Sequence, residues 1–359
     1  MSPLCIYGND PEWKEVTTAE SILALVARLS TKVFLGDELC RNEDWLRITK
    51  EYTLESLAAG IIVSTFPSLL QPLVPFFSQK PKIAKNKLNE VRNFLNPILA
   101  ERQRRKAEAK KKGEPAPKYE DTLEWLQQES DGAPLDAALY QMALSFAAIH
   151  TTSDLLNRTL THLANDPNLV NDLRQEIVQV LSVDGLKKIA LANLKLMDSA
   201  IKETQRITPT SAFAMRRVAK EKVVLPNGFV IQRGQYISVD MMALVDADVY
   251  PDPLKFDAYR YYRMREDPQK AMKAHLVSTT PDNLSFGLGY HSCPGRFFAA
   301  NEVKIALCHL LLKYDWQLAP GASLEPYNMF AENVGFDPSN KLRYRRRQEE
   351  LNTDSLNYD

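Results

Sequence analysis

The chain has 359 residues, 45% of them hydrophobic and 25% charged, the balance of a folded globular protein rather than a disordered one. Its 45 Lys and Arg equal its 45 Asp and Glu, and a net charge of zero argues against a dedicated nucleic-acid binder. Four well-separated cysteines (Cys5, Cys40, Cys293, Cys308) exclude a disulfide scaffold and a four-cysteine zinc site, and no apolar run approaches the ~18 residues of a membrane span. The start, Met1-Ser2-Pro3-Leu4, is not a signal peptide.

Residues 18–36 read as a helix, with Ile22, Leu25, Val26, Leu29 and Val33 recurring at three and four. Residues 44–58 read likewise. An apolar stretch follows from Gly60 to Phe77, broken by Pro67, Pro72 and Pro75. It suits a helix end plus a loop facing a membrane or a substrate pocket, or a core helix and buried loop. Residues 84–112 begin amphipathic and end in Lys and Arg, which suit the dipole of a solvated helix C-terminus. From Pro134 to Pro167 runs a long helix. Leu135, Leu139, Met142, Phe146, Ile149, Ser153, Leu156, Leu160 and Leu163 form one stripe, and smaller residues, Ala147, Ala148 and Thr151, form a second face. Helices at 168–182 and 193–207 come next. The period then changes to a hairpin, Val223–Leu225 and Phe229–Ile231 about a Pro226-Asn227-Gly228 turn, and a strand from Tyr236 to Val239. A last helix spans 295–314, and the polar tail 344–359 is expected to fray. The fold class is therefore mainly α with a small β subdomain.

The segment from Phe286 to Gly295, Phe-Gly-Leu-Gly-Tyr-His-Ser-Cys-Pro-Gly, carries the chemistry. Its glycines allow a tight loop, and Cys293 stands just before a helix with Pro294 at the first helical position. A helix N-terminus favours a thiolate, and loop N–H groups are placed to tune it. Gly295 removes a side chain where a large flat ligand would press. The plainer reading, a buried structural cysteine, leaves the glycine spacing unexplained.

This segment resembles F-x-x-G-x-x-x-C-x-G, the haem-binding signature of cytochrome P450 enzymes, with Phe286, Gly289, Cys293 and Gly295 in place. Glu203-Thr204-Gln205-Arg206 is similar to the family's E-x-x-R, and Phe256–Arg260 to the segment that supplies a second arginine. The resemblance implies a buried structural network of Glu203, Arg206 and Arg260. Ala147-Ala148-Ile149-His150-Thr151-Thr152 resembles the oxygen-binding segment, with His150 where an acid is commoner. By that resemblance Ala147 and Ala148 make room beside a porphyrin, and Thr151 and His150 manage protons. His291 and Arg216, with Arg217 as the fallback, are implied as propionate partners. Pro209 to Phe213 and the turn around Met329 and Phe330 are implied at the substrate. Cys5, Cys40 and Cys308 read as packing. Trp45 does not begin the family's W-x-x-x-R, since Thr49 stands four residues on.

The resemblance implies one cytochrome P450 domain over 1–359, without the family's N-terminal anchor, first sheet and early helices. It implies haem b on Cys293, whose electron-rich sulfur favours O–O cleavage. Electrons would come from NADPH through a reductase on the cysteine side. The implied reaction inserts one oxygen atom from O2 into a lipophilic small molecule. By resemblance only, fungal terpenoid or polyketide secondary metabolism fits, and the resemblance implies the cytoplasmic face of the endoplasmic reticulum membrane. The runner-up is a shortened, non-catalytic relic or an incomplete gene product.

Overall fold

The structure, a computed structural model, describes residues 4–67, 69–325, 327–330 and 333–356; the side chains of Leu4, Cys5, 328–330, 333 and 334 are outside the description. In chain order the elements are α1 (Leu4–Tyr7), β1 (Lys14–Thr17), α2 (Thr18–Leu35), α3 (Glu43–Ser64), α4 (Val74–Phe77), α5 (Lys80–Lys112), α6 (Thr122–Glu129), α7 (Ala137–Ala164), α8 (Pro167–Asp184), α9 (Lys188–Asn193), α10 (Lys195–Ile207), β2 (Phe213–Val218), β3 (Val223–Val224), β4 (Val230–Ile231), β5 (Tyr236–Asp240), α11 (Arg260–Met264), α12 (Arg296–Lys313), β6 (Tyr314–Leu318), β7 (Tyr327–Phe330), β8 (Asn333–Gly335) and β9 (Lys341–Arg346). The chain divides into two compact units, Ala24–His150 and the combination of Met1–Leu23 with Thr151–Asp359.

In the first unit α3 and α5 pack as an antiparallel pair, with Trp45 and Ile48 buried on α3 and Val91 and Leu95 on α5. Asn42 caps α3 by accepting from the Trp45 N–H at 2.9 Å. Asp121 does two jobs. It caps α6 through the Glu124 N–H at 3.0 Å and holds buried Arg102 by both terminal guanidinium nitrogens, at 2.9 and 2.6 Å. The apolar stretch read from Gly60 to Phe77 divides here. It finishes α3, and beyond that it leaves Leu69, Phe76 and Phe77 exposed at 87%, 80% and 63%.

In the second unit the core is the C-terminal half of α7 with α8, α10 and α12. Leu156, Leu160, Leu173, Ile177, Ile201, Val303 and Leu307 are all buried there. The long stripe on α7 is only partly inward. Residues 158–164 are buried all round, whereas Leu139, Leu144 and Phe146 near its start are exposed. One buried face at the start and burial all round at the end is a change of environment along one helix.

A three-stranded antiparallel sheet in the order β1–β9–β6 joins the two ends of the chain, with Val16 opposite Leu342 and Trp316 opposite Tyr344. Tyr7, Tyr314, Trp316 and Tyr344 pack over it, edge to face except for the tilted Trp316–Tyr344 pair, with ring centroids 5.1–6.1 Å apart. The expected fraying of 344–359 does not hold for residues 344–356. Arg346 and Arg347 donate to the Lys313 and Leu312 carbonyls at 2.8 and 3.1 Å. Buried Thr353 bonds His309 Nδ1 at 2.9 Å, and Asp354 accepts from the buried Lys313 at 2.5 Å. The reason is that the last carbonyls of α12 have no partner within the helix, and the basic tail supplies one.

Candidate active site

Cys293 stands on a loop closed by its own backbone. Its N–H donates to the Phe286 carbonyl at 2.7 Å, the Ser292 N–H to Gly289 at 3.0 Å, and the Gly287 N–H to Leu284 at 2.8 Å. Gly287 has φ +70°, and a Cβ there would lie 3.0 Å from the His291 carbonyl oxygen, so only glycine fits. Gly289 is also left-handed, at φ +63°. The helix begins later than the sequence suggests. α12 starts at Arg296 with Gly295 as its cap, so Pro294 lies in the preceding turn rather than at the first helical position. Arg296, absent from the sequence-based candidates, secures that turn. Its Nη1 donates to the Cys293 carbonyl at 2.8 Å.

The other described cysteine side chains differ sharply. Cys308 is fully buried and burial pushes its thiol up to about 12. Cys40 is also buried, with its thiol raised by burial. Cys5 lies outside the described side chains. Cys293 is half-buried, and a Cβ on Gly295 would stand 4.0 Å from its sulfur, so the glycine leaves one side of the thiol open.

His291 is exposed beside the loop and meets the Tyr290 ring edge to face at 5.2 Å. Arg216 is exposed in β2, in a bulge. Ala214 pairs with Val239 and Arg217 with Ile237, so two residues oppose one. Met215 takes φ +53° there, and this turns the strand at Arg216. One hydrophobic cluster gathers Met215 and Ala214 with Met241, Leu244, Leu284 and Leu288. The structure thus brings the Arg216 strand and the cysteine loop onto the same small core.

Behind them lies the charged network. Glu203 and Arg206 are 0% exposed. Glu203 accepts from Arg206 Nε and Nη2 at 2.8 Å each, from Arg260 Nε at 3.1 Å, and from the Asp257 N–H at 3.1 Å. Arg206 also donates to the Leu244 and Pro253 carbonyls, both at 2.6 Å, and Arg260 to Pro251 at 2.6 Å. Burial alone would lower the Arg206 guanidinium, but Glu203 outweighs it and the net shift is upward. A second cluster that sequence reasoning missed sits beside it, where Asp198 pairs with both Lys304 and Arg265 and accepts the Leu276 N–H at 2.8 Å. Lys202 Nζ donates to the Lys273 and His275 carbonyls at 2.7 and 2.6 Å, and burial pushes its ammonium down to about 8. Nothing in composition marks these lysines, because Lys202 is recognised only by the carbonyls it reaches and Lys304 by Asp198 and the Leu191 carbonyl, both more than a hundred residues away along the chain.

On α7, Ala147 and Thr151 are exposed and Ala148 and His150 half-buried. Burial lowers the His150 imidazole below its ordinary value, so it is neutral at pH 7. Ala147, Ala148 and His150 fall in the first unit and Thr151 in the second. Of the residues expected at the substrate, Pro209 to Phe213 form the loop entering β2, while the side chains of Met329 and Phe330 lie outside the described residues.

The cytochrome P450 family model matches residues 12–341. The chain belongs to the cytochrome P450 family. This P450 is 45% identical to cytochrome P450 monooxygenase eqxH of Fusarium heterosporum over 98% of its own length and 68% of that protein. It is 42% identical to cytochrome P450 monooxygenase 1 of Gibberella fujikuroi over 96% of its length and 79% of that protein, and 44% identical to trt6 of Aspergillus terreus over 96% and 70%. The solved retinoic acid-bound cyanobacterial CYP120A1 superposes with a TM-score of 0.70 at 21% identity, over 93% of this chain and 70% of that one, which speaks to the fold alone. The P450 is thus an oxidoreductase of a haem-binding family whose members use NADPH-derived electrons. The relic reading gains no support from these comparisons.

The donor set fits haem. Among the described residues no cluster of three or more His, Cys, Asp or Glu could hold a bare metal ion. A single open thiol on a glycine-relieved loop would suit an iron that takes its other ligands from a porphyrin rather than from the protein. No described helix is long and apolar enough to cross a membrane.

Proposed function

We propose that the chain is a single cytochrome P450 domain that inserts one oxygen atom from O2 into a lipophilic small molecule, in fungal secondary metabolism of terpenoid or polyketide type. The observation that carries this is the half-buried Cys293 thiol on its closed loop, in contrast to Cys40 and Cys308, whose thiols burial raises.

Haem bound at Cys293 supplies dioxygen activation, its potential and reactivity set by the thiolate. The chain's own residues do the rest. Phe286, Gly289 and Gly295 shape the loop that presents the sulfur. His291 and Arg216, both exposed, are assigned to the propionates. Ala147 and Ala148 take the role of the family's small-residue pair. Thr151 holds a proton at Oγ1. His150, neutral at pH 7, accepts or gives one at its ring nitrogens. Glu203, Arg206 and Arg260 fix the backbone behind the loop and touch no substrate.

A reductase delivering NADPH-derived electrons is assigned to the cysteine side. We place the protein at the cytoplasmic face of the endoplasmic reticulum. The support is the run from Leu57 to Gln79, which contains no charged residue and exposes Leu69, Phe76 and Phe77 ahead of Lys80, Lys82, Lys85 and Lys87.

The test is reduction of the haem-reconstituted chain with dithionite under carbon monoxide. A Soret band at the thiolate-ligated position is expected, and Cys293→Ala removes it. If the parent chain gives no such band, the reading fails.

A further inference from the structure

One charged cluster in the Thr151–Asp359 unit belongs neither to the cysteine loop nor to the Glu203 network. Arg158, on α7 two turns beyond Thr151, is 2% exposed. Its guanidinium grips Asp154 on both oxygens, Nε to Oδ1 at 2.8 Å and Nη2 to Oδ2 at 2.7 Å. The remaining nitrogen, Nη1, donates to the Thr208 and Pro209 carbonyls at 2.8 and 3.0 Å. Thr210 then returns a bond from the loop to the helix, its Oγ1 donating to Asp154 Oδ2 at 3.2 Å. Three consecutive loop residues are therefore tied to the turn of α7 that follows Thr151. On the other side the loop is held to α10, where Thr208 bonds the Thr204 carbonyl through its N–H at 3.0 Å and its hydroxyl at 2.9 Å.

Burying an arginine to satisfy two carbonyls is a poor way to gain stability, because desolvation cancels most of the attraction. What such a pair does well is hold one backbone arrangement against its alternatives. Arg158 and Thr208 are buried, whereas Thr210 is exposed and carries a single bond to the cluster, so it is the adjustable member. Beyond it the loop runs into β2, where Phe213 is 43% exposed and Met215 and Arg216 form the bulge.

We infer that Asp154, Arg158 and Thr210 are positioning residues that set the path of the loop 208–213, and that the Thr210–Asp154 bond tunes which bulky ligands the site admits. This rests on the reading of that loop as bordering the substrate.

The probes are imidazole and 4-phenylimidazole, titrated spectroscopically into the haem-loaded full chain. Thr210→Val keeps the shape and removes the hydroxyl. We expect it to change 4-phenylimidazole affinity about fivefold, the worth of one hydrogen bond, with imidazole affinity within about twofold. Amide exchange in 210–213 rises by a similar factor, Thr210→Ser restores both readings, and Thr210→Val adds nothing in an Asp154→Asn background. If Asp154→Asn does not fold, the Val and Ser variants decide alone. Equal changes for both azoles, or none for either azole or for exchange, overturn the inference. If the parent chain shows no thiolate-type carbon monoxide spectrum, the monooxygenase reading falls instead. The exchange measurement, which needs no haem, then decides whether Thr210 positions the loop.

Discussion

Two regions of this P450 use the same chemistry, guanidinium or ammonium against carboxylate, to opposite ends. In the Thr151–Asp359 unit Glu203 and Arg206 are wholly out of water, and every oxygen and nitrogen of the pair finds a partner, in each other, in Arg260, in the Asp257 N–H or in a carbonyl of residues 244–255. In the Ala24–His150 unit Arg47, Glu51, Lys87 and Glu90 form a ladder between α3 and α5 whose side chains are 25–47% exposed. The buried group fixes where an irregular loop lies, because its arginines are bound mostly to backbone. The surface ladder joins two helices that already pack through Trp45, Ile48, Val91 and Leu95. Water decides the difference: it offers the ladder an alternative partner at every moment and the buried group none.

The largest expected effect follows directly. Glu203→Gln leaves the buried Arg206 and the half-buried Arg260 without their counter-charge and should cost about 3–5 kcal/mol in urea unfolding. It should also loosen the carbonyls of residues 244–255, seen as faster amide exchange there. A loss below about 1 kcal/mol would mean that the carbonyls alone hold the arginines, and the contrast with α3–α5 would collapse.

Much of the candidate site can be proposed from the sequence because it depends on local spacing. A cysteine two residues before a glycine, a glutamate three before an arginine and small residues before a threonine each lie within one loop or helical turn. Arg260 came with its segment. What the sequence hid is what closes at long range. β9 reads Lys-Leu-Arg-Tyr-Arg-Arg, and four basic residues in six look like a solvated tail. Its two inward residues, Leu342 and Tyr344, meet β1 more than 300 residues upstream. The carbonyl partners of Arg158, Lys202 and Lys304 were equally invisible, since a carbonyl leaves no mark in a sequence. The start of α12 lies later than its sequence suggests because Pro294 is compatible with a helix N-terminus but here makes the turn before it.

Buried histidines sharpen the comparison from the neutral side. His162 stacks on Phe256 with ring centroids 4.3 Å apart, and His309 faces Thr353 beneath the C-terminal tail. Burial first, then a neighbouring cation (Arg158 and Lys313 respectively), pushes each imidazole down to about 4. The unfolded chain, with histidines near their ordinary value of about 6.5, binds more protons below that pH than the folded chain does. Stability is therefore full above about pH 6.5 and is lost as pH falls toward 4. Each histidine should contribute about 2 kcal/mol of the loss between pH 7 and pH 5. His309→Gln, which keeps a polar group near Thr353, should shrink the pH 7 to pH 5 drop in urea-derived stability by about that amount. An unchanged drop would assign the acid sensitivity elsewhere.

The smallest effect belongs to the ladder, and its size is the point. Lys87 sits between Glu51, at 2.5 Å, and Glu90, at 2.9 Å, and these partners raise its ammonium while lowering both carboxyls. Those shifts are real consequences of proximity, but Lys87 is a quarter exposed and Glu51 more than a third, so solvent screens most of what they would otherwise mean for stability. Lys87→Met keeps the aliphatic stem that covers the helix surface and removes only the charge. It should change stability by at most about 0.5 kcal/mol at low salt and by nothing measurable in 1 M NaCl, where the screening length falls to about 3 Å. A salt-independent loss above about 1 kcal/mol would show that the ladder organises the α3–α5 pair as the Glu203 group organises its loop. The two regions would then differ in depth but not in kind.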